Sequence, residues 1–164
     1  MNEELSYTDQ PWVKNYPDNV STHIEYHRKT IPELLERSAE KYPDNIALIF
    51  EGYELQYKTL KNMVDQFSNY LIKLNIQQGD CVALILPNVI PCVVGYLGIL
   101  QVGAIAVFIN PTSSDREMEH QLNDSEASMI ITLDLICNRI IDLRPRLVNV
   151  HYIIYTSLGD YLPF

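Results

Sequence analysis

The stretch GDCVALILPNVIPCVVGYLGILQVGAIAVFINP, residues 79–111, carries no formally charged side chain between Asp80 and Asp115. Such a segment belongs inside a protein or inside a membrane. A membrane-spanning helix needs about 20 uninterrupted apolar residues, and Pro87-Asn88, Gln101 and Gly103 cut this run into shorter pieces. Residues 81–86, bounded by Gly79-Asp80 and Pro87-Asn88, suit a strand buried on both faces. Asn88 is placed to cap a helix over 89–101, in which Pro91 is tolerated because the first turn has no intrahelical acceptors to satisfy. Gly103 then stands where a left-handed residue ends a helix, and residues 104–109 supply a second apolar strand stopped by Asn110-Pro111. Strand, helix and strand in this order predict a parallel pair with a right-handed crossover.

Outward from this unit the chain continues the pattern. Ser114 and Glu117 form a capping box for a helix through Met118 and Leu122 that ends near Ser125. Residues 129–133 predict a third buried strand, 134–144 a shorter helix ended by Pro145, and 150–155 a fourth strand. Upstream, Thr30 and Glu33 make a second capping box around Pro32, with Ile31, Leu34, Leu35, Ala39 and Tyr42 as the inward stripe. Residues 46–50 and 53–57 read as a hairpin turned at Glu51-Gly52 and packed beside the main sheet. Leu60, Met63, Val64, Phe67, Leu71 and Leu74 recur at helical spacing, with Lys61, Asp65, Asn69 and Lys73 on the opposite face. The expected fold class is therefore α/β: a mainly parallel sheet with helices on both faces (βαβαβαβ), plus an N-terminal helix and β-hairpin. Residues 1–28, rich in Pro, Asn, Asp and Tyr, predict an extended N-terminal arm held by Trp12, Tyr16 and Tyr26, and residues 29–164 a single α/β unit.

The 164 residues suffice for one domain. A net charge of -9 with no basic stripe argues against nucleic acid as a partner. Arg139, Arg144 and Arg146 read as the solvated face of one helix rather than an anion site. The three cysteines, Cys81, Cys92 and Cys137, lie in apolar surroundings without CxxC pairing, which predicts buried, reduced thiols in a cytoplasmic protein. The N-terminus has neither the basic start nor the apolar core of a signal peptide.

Ligands of open parallel sheets gather beyond the carboxyl ends of the strands, where this sequence offers Asn88, Asn110, Asp134 and Thr156-Ser157. One carboxylate among amides and hydroxyls does not make the divalent-ion site of a receiver domain. GxGxxG, GKS or GKT, GxSxG and HExxH are all absent, although His23 and His27 are four residues apart. Gly95 and Gly98 predict close approach of helix to sheet. Composition and spacing thus yield an α/β domain without visible catalytic apparatus.

Three runs add a resemblance: LERSAEKYPDNIALIFEGYELQYKTL (35–60), the 79–111 stretch, and SDREMEHQLNDSEASMIITLD (114–134). In this order and spacing they resemble the N-terminal region of the adenylate-forming acyl-CoA synthetases. Asn110-Pro111 followed by REMEHQLNDS, with the PWVKNYP arm and DYLPF, is most similar to the long-chain fatty-acid:CoA ligases. Thr59 and Thr112-Ser113-Ser114 depart from the family's usual residues.

The resemblance implies a parent enzyme that joins a fatty acid to ATP as an acyl-adenylate and then to CoA, with Mg2+ as the accompanying ion. It places no catalytic, cofactor-binding or metal-binding residue within these residues. Tyr155-Thr156-Ser157-Leu158-Gly159 imitates the opening of the family's phosphate loop but lacks its threonine and glycine run and its lysine. The expectation is therefore an N-terminal fragment, inactive alone and binding no cofactor. Its partners would be the rest of the ligase chain and a homodimer mate, in a cytoplasmic parent at most peripheral to a membrane. The alternative expectation is a stand-alone interaction module that keeps the fold without catalysis.

Overall fold

A computed structural model of the chain describes residues 10–23 and 28–161. In order it forms α1 (Ile31–Lys41), β1 (Ile46–Phe50), β2 (Tyr53–Gln56), α2 (Tyr57–Lys73), β3 (Cys81–Ile85), α3 (Ile90–Gln101), β4 (Ile105–Phe108), α4 (Asp115–Asp124), β5 (Met129–Leu133), α5 (Asp134–Leu143) and β6 (Tyr152–Thr156). The sheet has four parallel strands in the order β4-β3-β5-β6, and β1 and β2 form a separate antiparallel pair. Its register aligns Val82 with Ala106 and Met129, and Ile131 with Ile154.

Alternation along β3 and β5 sorts the core into two layers. Val82, Leu84, Met129 and Ile131 face Leu71 of α2 and Cys92 and Ile99 of α3. Ala83, Ile85 and Ile130 face Met118 and Leu122 of α4 and Ile140 and Leu143 of α5. Helices therefore cover both faces, and the uncharged central strands have no accessible side chain from Val82 to Ile85. Each large aliphatic residue so buried contributes about 1.5–3 kcal/mol. A third cluster lies outside α2 and α3, where Leu35, Leu55, Leu60 and Val94 seat α1 and the hairpin.

Both capping boxes form. The Thr30 N–H donates to Glu33 Oε2 at 2.6 Å and the Ser114 N–H to Glu117 Oε2 at 2.7 Å, and each glutamate's own N–H donates back to the hydroxyl. Glu51 and Gly52 both take positive φ, 47° and 82°, the primed-turn geometry whose twist suits a two-residue hairpin. Gly103, at φ 76°, ends α3 in a Schellman motif: its N–H donates to Leu100 O and that of Ala104 to Ile99 O.

Several expectations need correction. Asn88 does not cap α3; Val89 occupies that position without a side-chain bond, so the helix starts one residue later than expected and Pro91 falls at its second position. Tyr57 opens α2 rather than closing β2. On α1 only Leu35 is buried, while Ile31, Leu34 and Tyr42 are exposed, since the helix lies outside α2 and α3 and touches them along a narrow line. β4 is a half-exposed edge, with Ile105 50% and Phe108 58% accessible. β6 starts two residues later than predicted because Val150, 1% accessible, fills the core as loop rather than as strand. Residues 11–15 of the arm form a 3-10 turn, with Trp12 and Tyr16 exposed at 44% and 42%. Tyr26 and His27 lie outside the described residues, and with them the expected Tyr26 contact of the arm and the spacing of His23 and His27.

Candidate functional site

All four parallel strands end on the same side, so the topology brings Asn88, Asn110, Asp134 and Thr156-Ser157 to one edge of the sheet, as the sequence predicted. Their polar groups are turned inward on the local backbone. Asn110 Oδ1 accepts from the N–H of Thr112 at 2.9 Å and from its hydroxyl at 2.8 Å, an Asx turn that redirects the chain after β4. Asp134 Oδ1 accepts from the Leu135 N–H at 2.8 Å, at the N-terminus of α5. The Thr156 hydroxyl donates to Asp160 Oδ2 at 3.3 Å, the Ser157 N–H donates to the same oxygen at 3.1 Å, and the Gly159 N–H donates to Ser157 Oγ at 3.3 Å.

The segment that imitates a phosphate loop therefore closes on itself. The amides of Ser157 and Gly159 already serve Asp160 and the Ser157 hydroxyl, and the Asp160 carboxylate would repel phosphate. Among the described residues no three His, Cys, Asp or Glu side chains gather to hold an ion.

Asn88 is exposed at this edge. With Leu48, Phe50, Val89 and Cys92 it lines an apolar cleft of about 280 Å³ between β1 and the start of α3. Burial pushes the Cys92 thiol above its ordinary pKa, so the neutral, weakly nucleophilic form dominates there. Cys92 and Cys137 are buried and unpaired as predicted; Cys81, at the outer end of β3, is only half-buried.

The three arginines do not share a helix. Arg139 lies on α5, whereas Arg144 and Arg146 lie in the 3-10 turn Arg144–Arg146. Nor do they make one anion site. Arg139 donates to the carboxylate of Asp115 and the carbonyls of Ser113 and Pro111, Arg146 pairs with Glu119 at 2.7 Å, and Arg144 reaches Leu147 O. Arg139 thus ties the loop between β4 and α4 to α5, a role without a sequence signal.

The two helical glycines act differently. A Cβ on Gly95 would meet Leu84 Cδ2 of β3 at 3.0 Å, the helix-to-sheet approach predicted. A Cβ on Gly98 would meet Phe67 of α2 instead, so that glycine serves helix-to-helix packing. Sequence reasoning also missed a groove of about 190 Å³ beside β6, lined by Phe67, Pro91, Val94, Gly95, Ile154 and Thr156.

This architecture is the N-terminal subdomain fold of adenylate-forming enzymes. It is shared with the anthranilate CoA ligase AuaEII in complex with anthranoyl-AMP, at 29% identity and TM-score 0.73 over 80% of this chain and 25% of that one. It is also shared with the N-terminal domain of FACL13 from Mycobacterium tuberculosis, at 25% identity and TM-score 0.73 over 81% of this chain and 36% of that one. The chain belongs to the AMP-binding enzyme family, whose model matches residues 35–159. A long-chain-fatty-acid--CoA ligase of Bacillus subtilis is 36% identical over 157 residues, which cover 96% of this chain and 28% of the relative. The chain thus spans a little over a quarter of the length of such curated relatives. Among the described residues no helix is long and apolar enough to cross a membrane.

Proposed function

We propose that these residues are the N-terminal scaffold of a long-chain fatty-acid:CoA ligase. That parent, a cytoplasmic enzyme, uses ATP and Mg2+ to convert a fatty acid into an acyl-adenylate and then transfers the acyl group to CoA. The observation that carries the reading is the 36% identity to the Bacillus subtilis ligase along nearly the whole chain. The division of labour is physical. Residues 28–161 supply a parallel sheet clad by helices, while the donors that stabilise charge on the transferring phosphate come from the remainder of the ligase. The closed Thr156-to-Asp160 turn is in keeping with a scaffold role, and the 164 residues alone are catalytically silent.

Two measurements test this. Joining the chain to the remaining three quarters of the Bacillus subtilis relative gives a chimera expected to form acyl-CoA from fatty acid, ATP and CoA; a folded chimera without that activity rejects the ligase reading. Titration calorimetry of the 164-residue chain with ATP and Mg2+ is expected to show no binding tighter than about 1 mM. Micromolar binding rejects catalytic silence.

A further inference from the structure

A further cavity lies at the amino ends of the parallel strands, opposite the end that carries Asn88, Asn110 and Thr156. Asp80, Ser128 and His151 directly precede β3, β5 and β6. With Leu74, Asn75 and Tyr152 they line a space of about 290 Å³. β5 is five residues long, so about 16 Å of strand separates the two ends of the sheet.

Three features of this cavity favour positive charge. Asp80 is half-buried and one of its oxygens accepts from the Gln77 N–H at 2.8 Å, yet among the described residues no cationic side chain pairs with it. Leu74 and Asn75 follow the last turn of α2, a helix of 17 residues whose open terminal carbonyls carry the negative end of its dipole. Tyr152, 37% accessible, adds an aromatic ring, and the face of such a ring attracts cations. Ser128 gives its hydroxyl proton to Cys81 O at 3.1 Å and keeps its lone pairs for an incoming donor. Lys73, which ends α2, is not among the residues that line the cavity. The set lacks a cationic donor.

We propose that this cavity binds a small organic ammonium ion. Asp80 is its counter-charge, the carbonyl end of α2 and Ser128 Oγ accept its N–H groups, and the Tyr152 ring packs against it. The volume, at the low end for ligand pockets, limits the ion to a few carbons. Charge also separates this site from the proposed ligase chemistry. Fatty acids and ATP are anions, which Asp80 repels, and ligands of open parallel sheets gather at the other end of the strands.

The test follows the amide chemical shifts of the 164-residue chain by NMR at neutral pH while butylammonium chloride replaces sodium chloride at constant ionic strength. Saturable shifts are expected at Asn75, Ile76, Ser128 and Tyr152, with a Kd of about 1 mM. Asp80→Asn keeps an oxygen for the Gln77 N–H and removes the charge, and is expected to weaken binding about tenfold or more. Tyr152→Leu, which leaves the turn before β3 untouched, is expected to weaken it about threefold. Asp142→Asn, at an exposed carboxylate on α5, is expected to bind as the native chain does. Sodium butyrate is expected to shift none of the four amides. The absence of saturable shifts up to about 20 mM overturns the site. Equal affinity in folded Asp80→Asn overturns it too, because the ion would then be drawn only by the chain's net charge of -9. Should Asp80→Asn not fold, unchanged affinity in Tyr152→Leu, or butyrate binding at the same amides, rejects the proposal. None of these outcomes bears on the ligase reading, which the chimera tests separately.

Discussion

A Cβ built on Gly98 would stand 2.6 Å from Cδ1 of Phe67, so α3 meets α2 through bare backbone. Ser68, 3% accessible, marks the same contact; its hydroxyl donates to Val64 O at 2.7 Å and reaches Gly98 O at 3.4 Å. Two effects oppose each other in Gly98→Ala. Helix propensity favours alanine by about 1 kcal/mol, and overpacking costs about 1–3 kcal/mol. At 2.6 Å the ring must move, so overpacking wins and denaturant unfolding should show a net loss of about 1 kcal/mol. Phe67→Leu in the same chain should recover part of it; additive losses in the double variant would show that the two positions do not interact.

The capping boxes make stability depend on pH in a predictable direction. Hydrogen bonds from the backbone N–H and hydroxyl of Thr30 hold the Glu33 carboxyl below its ordinary pKa, and those of Ser114 do the same for Glu117. A group depressed in the folded state contributes stability that is complete above its unfolded pKa, about 4.3 for glutamate, and is lost as pH falls through the lower folded value. Asp65 follows the same direction: burial raises its pKa, but bonds from Lys61 and Gln101 outweigh burial. The gap in melting temperature between the native chain and Glu117→Gln should therefore narrow as pH falls from about 5 to 3. A gap that widens would contradict the capping role.

Arg139 holds the loop between β4 and α4 by three donated bonds, one of them to a carboxylate. Its side chain is 33% accessible and that of Asp115 54%, so screening by water limits the ion pair. Arg139→Met should cost about 1 kcal/mol and expose the loop around Thr112 to limited proteolysis. Arg139→Lys should restore only part of the protection, because a single ammonium does not reproduce the guanidinium fork. Unchanged cleavage in the methionine variant would show that the loop is held by other contacts.

Thiol chemistry should divide the cysteines. Cys81 is half-buried, whereas Cys92 and Cys137 are buried, and burial keeps the Cys92 thiol protonated. A disulfide reagent should modify Cys81 first and Cys92 about tenfold or more slowly, with all three reacting in denaturant. Fast labelling of Cys92 in the folded chain would mean that the cleft beside β1 opens.

The fold was largely legible in the sequence because its signals are local. Thr30-x-x-Glu33 and Ser114-x-x-Glu117 satisfy their own helix ends, Glu51-Gly52 fixes a hairpin, and Gly103 takes a left-handed conformation whatever surrounds it. The errors fall where neighbours decide. Asn88 has the chemistry of a cap, but the helix starts one residue later. Ile31 and Leu34 have an inward pattern, but α1 has too little to pack against. The strand-end residues were also located correctly; that Thr156 and Ser157 are occupied by Asp160 was not, since a hydrogen bond made across a turn leaves no periodic trace.

The sequence by itself determined the parallel α/β character of this protein, because an uncharged run broken at Pro87-Asn88 and Gly103 can satisfy its backbone only as buried strands and a helix. Only the tertiary structure decided the strand order β4-β3-β5-β6, and with it which apolar strands stay half-covered. Hydrophobicity records how much surface a strand must bury, while the partner that buries it is set by packing between segments far apart in the chain.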